Sequence, residues 1–208
     1  DKNTLKAAGN AVLSVLDEAG RKYTSFTFVP DVIKPDEHAV GSLLMNFDKN
    51  CDAVIGVGSG VINDCCKILA AKTKKPYITV ASAPSMDGFA SDTSSMEKDG
   101  LKVSLPSKCP DIIIGDTYIL KNAPARMLAS GVGDMLAKYI SIAEWRISAL
   151  INGEYYCDEI AQLIRSSLKK CTDNASGLVR RESTAVNAVF MGLVGVGFAM
   201  NFAGVTRP

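Results

Sequence analysis

The chain has 208 residues, a formal net charge of +1, six cysteines and one histidine. A chain of this length can form one large or two small domains without needing a disulfide or a structural metal. Its 23 Lys and Arg residues are scattered and nearly balanced by 22 Asp and Glu residues, so nothing in the charge pattern favours nucleic-acid binding. The cysteines show no Cys-x-x-Cys pair, and we expect reduced thiols in a cytoplasmic protein.

Hydrophobic spacing predicts alternating helices and strands in the first part of the chain. The predicted elements are a helix at 5–19, a strand at 23–29 ended by Pro30, a helix at 35–49, a strand at 53–57, a helix at 63–71, a strand at 77–81, a hairpin around Asp99-Gly100 and a strand at 111–115. This alternation is typical of an α/β fold with a doubly wound, mostly parallel sheet.

Beyond Pro124 the spacing predicts helices only, at about 125–150, 155–173 and 182–205, with breaks at 152–153 and 174–177. We therefore predict a sheet domain at 1–122 and an all-helical domain at 123–208. The uncharged segment 183–206 is long enough to cross a bilayer. Its two asparagines, its four glycines and its lack of flanking anchors favour a buried core helix over a membrane span.

A glycine turn follows the strand at 53–57 and leads into a helix. Such a turn presents unpaired helix amides to an anion. The spacing after Gly58 and Gly60 departs from Gly-x-Gly-x-x-Gly, because Asn63 occupies the last position. Phosphate or dinucleotide binding is one interpretation, and a tight turn that requires glycine is the other. In the second interpretation Asp64 is a favourable charge at the start of the helix dipole.

Small and polar residues follow the strand at 77–81, at the position where open α/β sheets bind ligands. Serine hydroxyls there can bind phosphate or amide groups, and the carboxylate of Asp87 can accept hydrogen bonds from substrate hydroxyls. A serine-rich turn with an Asx cap is the alternative. The residues concerned are Ser82, Ser85, Met86, Asp87, Gly88 and Ser91.

Gly131 and Gly133 lie within a predicted helix, where two glycines cost about 2 kcal/mol relative to alanine. This cost predicts a close approach by another group or a kink in the helix. Asp134 follows directly and could simply pair with Lys138, one helical turn further on. His38 is the only histidine and is expected on the surface, so the residues contain no histidine-based triad and no complete zinc site.

Three ordered motifs, GVGSGVINDCCK, ITVASAPSMDGFAS and ASGVGDMLAKYISIAEW, together resemble the sn-glycerol-1-phosphate dehydrogenase family. That family belongs to the superfamily of iron- or zinc-dependent alcohol dehydrogenases, glycerol dehydrogenases and dehydroquinate synthases. The resemblance covers nearly the whole chain. It implies a Rossmann-like nucleotide-binding domain, a helical metal and substrate domain, and a homo-oligomeric enzyme that interconverts dihydroxyacetone phosphate and sn-glycerol 1-phosphate. A glycerol or polyol dehydrogenase and a non-catalytic nucleotide-binding module are the alternatives.

The resemblance also implies roles for individual residues. Asp134 corresponds to a catalytic residue that binds both metal and substrate, and Asp87 to a substrate-binding residue. The implied metal is Zn²⁺, with Fe²⁺ or Ni²⁺ as alternatives, and the implied cofactor is NAD or NADP. A carboxylate at Asp1 would bond the adenosine ribose and favour NAD. The implied cofactor-binding residues are Asp1, Gly58, Gly60, Val61, Ile62, Asn63, Asp64, Ser82, Ser85 and Ser91.

Members of the resembled family complete the metal site with two histidines beyond a motif that matches residues 204–208. This sequence contains one of three such ligands, because His38 falls in the other domain. The resemblance therefore implies that the first strand-helix-strand unit and the histidine-bearing helices lie outside these 208 residues. We expect these residues alone to be inactive.

Overall fold

The computed structural model describes residues 1–29 and 32–204. Pro30, which was expected to end a strand, and residues 205–208 of the terminal motif lie outside the described residues. The chain divides into two compact units, which we call the sheet unit (Asp1–Ser82 and Asp92–Ile119) and the helical unit (Ala83–Ser91 and Leu120–Pro208). The loop Ala83–Ser91, which the sequence placed in the first domain, thus belongs to the helical unit.

The sheet unit contains a three-stranded parallel sheet and a separate antiparallel hairpin. The strands are β1 (Val54–Gly58), β2 (Tyr77–Ala81), β3 (Thr93–Lys98), β4 (Leu101–Pro106) and β5 (Ile112–Ile114). The parallel sheet has the order β1-β2-β5, and its register aligns Ile55 with Ile78 and Ile78 with Ile112. The hairpin β3-β4 turns at Asp99 and Gly100, whose φ angles of 52° and 77° are the left-handed values that an Asp-Gly turn favours.

The sheet unit also contains helical segments. The first is continuous and consists of α1 (Lys2–Thr4), a π-helical turn (Leu5–Gly9) and α2 (Asn10–Glu18). It is followed by α3 (Glu37–Met45) and α4 (Gly60–Thr73). The core of the unit forms where α4 packs on the sheet, and it includes the buried side chains of Val54, Ile62, Cys65, Cys66, Leu69 and Tyr77.

The strand predicted at 23–29 is wrong, because no strand forms in the described residues 21–29. Phe28 is nevertheless buried in the core of the sheet unit, and the ring of Phe26 packs edge-on against it at 5.0 Å. Phe28 is the buried member of this apolar segment, while Phe26 remains 40% exposed. A strand also requires a backbone partner, which the pattern of one segment does not encode.

The helical unit consists of α6 (Ala125–Asn152), α7 (Asp158–Asp173), α8 (Ala175–Val179) and α9 (Ser183–Ala203), and a short helix α5 (Thr117–Leu120) precedes them. The break at 152–153 is confirmed by the left-handed Gly153. The break at 174–177 is wrong in part, because α8 begins at Ala175. The core of the helical unit contains the fully buried side chains of Met135, Trp145, Ile164, Leu168, Leu193 and Val196.

Helix α9 is long and apolar enough, by length and composition, to cross a membrane. In the structure 56% of its most apolar window is buried inside the protein. Its buried residues include Val186, Val189 and Leu193, which belong to the core of the helical unit. This burial agrees with the core helix that the sequence predicts for this segment.

Candidate functional site

In the sheet unit, the glycine turn brings α4 very close to the strands. Gly58 ends β1 and Gly60 begins α4, with Ser59 as the N-cap residue between them. A Cβ atom on Gly58 would lie 2.6 Å from the Cβ of Ile62, and one on Gly56 would lie 2.6 Å from the Tyr77 hydroxyl. Real Cβ atoms do not approach so closely, so glycine at 56 and 58 is required by helix-to-strand packing.

The first turn of α4 follows this glycine turn directly. The backbone N–H of Asn63 donates to the Ser59 carbonyl at 2.9 Å. The amides of Gly60, Val61 and Ile62 precede this bond, in the positions where a helix has no amide acceptor of its own. They are the groups that an anion would bind at a helix N-terminus.

The side chains of Asn63 and Asp64 both have partners within the sheet unit. Asn63 is 1% exposed, and its Oδ1 accepts a hydrogen bond of 3.0 Å from the Tyr77 hydroxyl. Asp64 forms an ion pair at 3.2 Å with Lys67 of the same helix, whose buried ammonium also donates to the Thr93 carbonyl. Asn63 and Lys67 therefore hold α4 against its neighbours, and a contribution to cofactor binding by Asn63 or Asp64 stays a prediction.

Asp1 and Ser82, which also have an expected cofactor role, make hydrogen bonds with backbone groups in the sheet unit. Asp1 caps the first helix, because its Oδ1 accepts from the backbone N–H groups of Asn3 at 2.8 Å and Thr4 at 3.0 Å. Ser82 follows β2, and its N–H donates to the Gly58 carbonyl at 3.0 Å. Ser82 therefore lies beside the glycine turn, at the carboxyl end of the sheet.

In the helical unit, the loop Ala83–Ser91 brings Asp87 next to two residues of α6. The backbone N–H of Asp87 donates to Oδ2 of Asp134 at 2.8 Å. The carboxylate Oδ2 of Asp87 lies 2.5 Å from the Nζ of Lys138. We call Asp87, Asp134 and Lys138 the acidic cluster, since it combines two carboxylates with one ammonium.

Two helix glycines allow this loop to lie so close to α6 and α9. A Cβ on Gly131 would be 2.0 Å from the Pro84 carbonyl oxygen, and one on Gly197 would be 2.8 Å from the Asp87 carbonyl oxygen. Asn201 of α9 holds the far end of the loop by donating from Nδ2 to the Ala90 carbonyl at 2.7 Å. The loop is therefore fixed at several points, and Asp87 is carried by a well-packed segment.

Within the same loop, Ser91 Oγ donates to the Gly88 carbonyl at 3.3 Å and Ser85 N–H donates to the Ala83 carbonyl at 3.1 Å. The structure therefore places Ser85 and Ser91 on the loop that carries Asp87, in the helical unit. Ser82, Asn63 and Asp64 belong to the sheet unit. The residues expected at the site are thus shared between the two units.

Burial raises the pKa of the Asp134 carboxyl, and the nearby carboxylate of Asp87 raises it further. The Asp87 N–H and the positive charge of Lys138 act in the opposite direction. The raised pKa means that the neutral form of this carboxyl is favoured more than in a fully solvated aspartate.

The described residues do not complete a metal site. Among residues 1–29 and 32–204, no three His, Cys, Asp or Glu side chains form a group that could hold a metal ion. His38 is exposed on α3, as expected, and belongs to the sheet unit. A carboxylate oxygen is a suitable ligand for zinc or iron, so Asp134 fits the role of one ligand.

Lys138 is the residue of the acidic cluster that sequence reasoning missed. Its spacing from Asp134 suggested an ordinary pair along one helix, yet its ammonium forms its ion pair with Asp87, far away in sequence. A lysine one turn after an aspartate is common on exposed helices. The only signal that could have singled it out is the apolar character of its neighbours on the buried face of α6.

Comparison with known proteins identifies related sequences and folds. Residues 1–124 match the iron-containing alcohol dehydrogenases. The chain is 30% identical over 211 residues to a glycerol-1-phosphate dehydrogenase (NAD(P)+) of Halalkalibacterium halodurans, covering 100% of this chain and 53% of that protein. It is 32% identical over 212 residues to the protein of the same name in Bacillus velezensis, covering 100% of this chain and 54% of that protein.

A crystal structure of glycerol dehydrogenase from Schizosaccharomyces pombe shares the fold, with a TM-score of 0.79 and 21% identity, over 95% of this chain and 53% of that chain. The chain spans about half the length of the curated relatives it matches. Because the family match extends over residues 1–124, more than half of the 208, this chain belongs to the iron-containing alcohol dehydrogenase family.

Proposed function

We propose that the full encoded protein is an NAD(P)- and metal-dependent oxidoreductase that interconverts dihydroxyacetone phosphate and sn-glycerol 1-phosphate. The names of relatives that are 30–32% identical over the whole chain support this proposal. The observation that carries it is the hydrogen bond between the Asp87 N–H and Asp134. It joins the two motifs to which the resemblance assigns substrate and metal binding.

NAD or NADP is the proposed hydride carrier, bound by the glycine turn of the sheet unit. Its pyrophosphate would accept hydrogen bonds from the first amides of α4, at Gly60, Val61 and Ile62. Gly58 would let the backbone come close, and Asn63, Asp64, Ser82, Ser85 and Ser91 would contribute as the resemblance implies. Asp1 would bond the adenosine ribose, and its Oδ1 already caps the first helix. The preference for NAD over NADP therefore depends on whether the Asp1 carboxylate, which caps the helix, can also accept hydrogen bonds from the ribose.

The substrate and the metal would be held by the helical unit. Asp87 would accept hydrogen bonds from substrate hydroxyls, and Asp134 would supply one carboxylate ligand to a divalent metal, with Zn²⁺ favoured over Fe²⁺ or Ni²⁺. A metal of this kind polarises a ketone oxygen when it is bound. The nicotinamide, when bound, would supply the hydride for the carbonyl carbon, and solvent water would supply the proton for the oxygen. Because Asp87 and Asp134 are held in place before the substrate binds, less entropy is lost when the substrate is oriented.

All six cysteines are free thiols in the structure. This supports the proposal that the protein functions in the reducing cytoplasm. A homo-oligomer is also proposed, and analytical ultracentrifugation of the full encoded protein would test it. A single monomeric species at micromolar concentration would contradict this part of the proposal.

The activity can be tested with the full encoded protein and its Asp134→Asn variant. We expect NADH oxidation with dihydroxyacetone phosphate, formation of the sn-glycerol 1-phosphate enantiomer, and loss of activity and bound metal in the variant. Asp173→Asn, which changes an exposed carboxylate of α7, is the matched control and should remain active. Full activity in Asp134→Asn, or a preference for unphosphorylated glycerol, would contradict the proposal.

Titrating NADH and Zn²⁺ into the 208-residue chain separates the remaining alternative. If the 208-residue chain binds NADH but the full encoded protein shows no turnover, a non-catalytic nucleotide-binding module is favoured. Competition between inorganic pyrophosphate and NADH for one site would support the glycine turn as the cofactor site. NADH binding that excess pyrophosphate leaves unchanged would argue against it.

A further inference from the structure

Lys138 is a buried lysine whose charge is compensated by the substrate loop. The residue is 8% exposed, and its Nζ lies 2.5 Å from Oδ2 of Asp87. The side chains of the two residues are 10% and 18% exposed. A buried ammonium is costly without a close anionic partner. The Asp87 carboxylate therefore helps to stabilise the buried Lys138 ammonium. The ammonium in turn restricts the position of the Asp87 carboxylate.

Lys138 and Asp134 together hold the loop through two contacts of opposite polarity. Asp134 accepts a hydrogen bond from the backbone N–H of Asp87, and Lys138 pairs with the carboxylate of the same residue. The two α6 residues are four positions apart, so they lie on one face of the helix, one turn from each other. One residue of the loop is thus bound at both its backbone and its side chain.

We propose that Lys138 is a positioning residue, whose ammonium fixes the direction of the Asp87 carboxylate and so sets how this loop presents Asp87 to the substrate. The claim that Lys138 affects substrate binding rests on the proposed function. The claim that Lys138 positions the loop does not, because both contacts are made within the protein. Removing the ammonium would leave Asp87 attached to α6 only through its backbone.

Direct binding of the substrate phosphate is the competing role for a buried lysine at such a site. The Lys138 side chain is 10% exposed, and its ammonium, already 2.5 Å from a carboxylate, would have to leave that carboxylate to reach a phosphate. This exchange would also leave the partly buried charge of Asp87 uncompensated. The geometry therefore favours positioning over direct contact.

The first test measures hydrogen exchange in the 208-residue chain, with no substrate or metal. We expect Lys138→Met to accelerate exchange severalfold in peptides from residues 83–91, while peptides from α7 exchange as before. Lys138→Arg should restore much of the protection because it keeps the charge. Asp87→Asn should accelerate exchange in the same peptides. Lys169→Met removes an exposed lysine paired with Asp173 and should change nothing in the loop.

Unchanged exchange of residues 83–91 in Lys138→Met would overturn the proposal. If this variant loses its helical circular dichroism, the comparison moves to Lys138→Arg, which keeps the charge, and to Asp87→Asn, which breaks the same ion pair from the loop side. Equal exchange of the loop in Asp87→Asn and the unaltered chain would then overturn it. In a double variant, Asp87→Asn with Lys138→Met, we expect no further acceleration beyond the single changes.

The second test uses the full encoded protein in the proposed reaction. We expect Lys138→Met to raise the KM for dihydroxyacetone phosphate by about 10- to 100-fold, as is typical of residues that orient a ligand-binding group. The KM for NADH and the metal content should be unchanged, and Lys138→Arg should recover most of the loss. A raised KM with unchanged loop exchange would overturn positioning in favour of direct contact. Accelerated exchange in a protein that lacks the proposed activity supports positioning and contradicts the proposed function.

Discussion

The carbonyl oxygen of Pro84 occupies the space that a side chain at Gly131 would need. A Cβ atom at that position would lie 2.0 Å from this oxygen, far inside any contact that atoms accept. The neighbour is backbone of a packed loop, so it cannot turn aside as a flexible side chain would. The glycine therefore sets how closely α6 and the loop Ala83–Ser91 approach within the helical unit.

We expect Gly131→Ala to lower the free energy of unfolding by about 1–3 kcal/mol, the usual cost of forcing extra volume into a packed region. Gly133→Ala is the matched change, because the described part of the chain places no atom within 4 Å of a Cβ there. Alanine is favoured over glycine inside a helix by roughly 0.5–1 kcal/mol, so this variant should be more stable. Urea unfolding measures both, and equal effects of the two changes would contradict the packing argument.

Asp134→Asn should not destabilise the fold at neutral pH. The pKa of Asp134 is raised mainly by burial, which means that the charged form is less favourable in the folded chain than in the unfolded chain. A neutral amide removes this cost, and its oxygen can still accept the Asp87 N–H. We expect an equal or higher urea midpoint at pH 7 for the metal-free chain. A clearly lower midpoint would show that the negative charge itself stabilises the loop.

Tyr77→Phe should destabilise the sheet unit. The change removes the hydroxyl that donates to Asn63 at 3.0 Å and leaves a buried amide oxygen with one partner fewer, at a cost of about 1–3 kcal/mol. Tyr23→Phe is the control, since that hydroxyl donates to Asp17 on the surface. Urea unfolding followed by circular dichroism compares the two variants. Equal stability of both would mean that the buried bond contributes nothing measurable.

The cysteines should differ sharply in their reaction with iodoacetamide at pH 8. Burial raises the pKa of both Cys65 and Cys66 to about 12, so only about one molecule in ten thousand carries a thiolate at either position. Peptide mapping of the folded chain should find these two residues unmodified, while the partly exposed Cys51 and Cys157 react. Rapid labelling of Cys65 in the native chain would contradict the packing of α4. Complete labelling of all six after unfolding is the control.

The parallel strands and the hairpin could be predicted because their signals are local. The apolar run at 53–57 specifies a buried strand, and Asp99-Gly100 specifies a turn with two left-handed residues. Residues 21–29 failed because an alternating pattern does not state whether a neighbouring strand is available. Phe28 of this segment is buried although the segment forms no strand.

The site was predictable only where one segment carried the signal. The cost of glycine in a helix predicted a close approach near Gly131, and the Pro84 carbonyl provides it. Gly133 has open space beside it, so the close approach concerns only the first of the two glycines. The pairing of Lys138 with Asp87 could not be predicted, because it depends on how α6 packs against a loop from an earlier part of the chain. Spacing within one helix cannot report such a contact.

The hydrogen bond from Asn201 to the Ala90 carbonyl joins residues 111 positions apart. During synthesis the ribosome therefore completes Asp87 long before it makes the helix that fixes the loop. Contacts of such long range form late in folding, because the chain between them must first be ordered. The nascent sheet unit can fold around its own core while the acidic cluster is still incomplete. We therefore expect the far end of the loop to be fixed last, once α9 has been made.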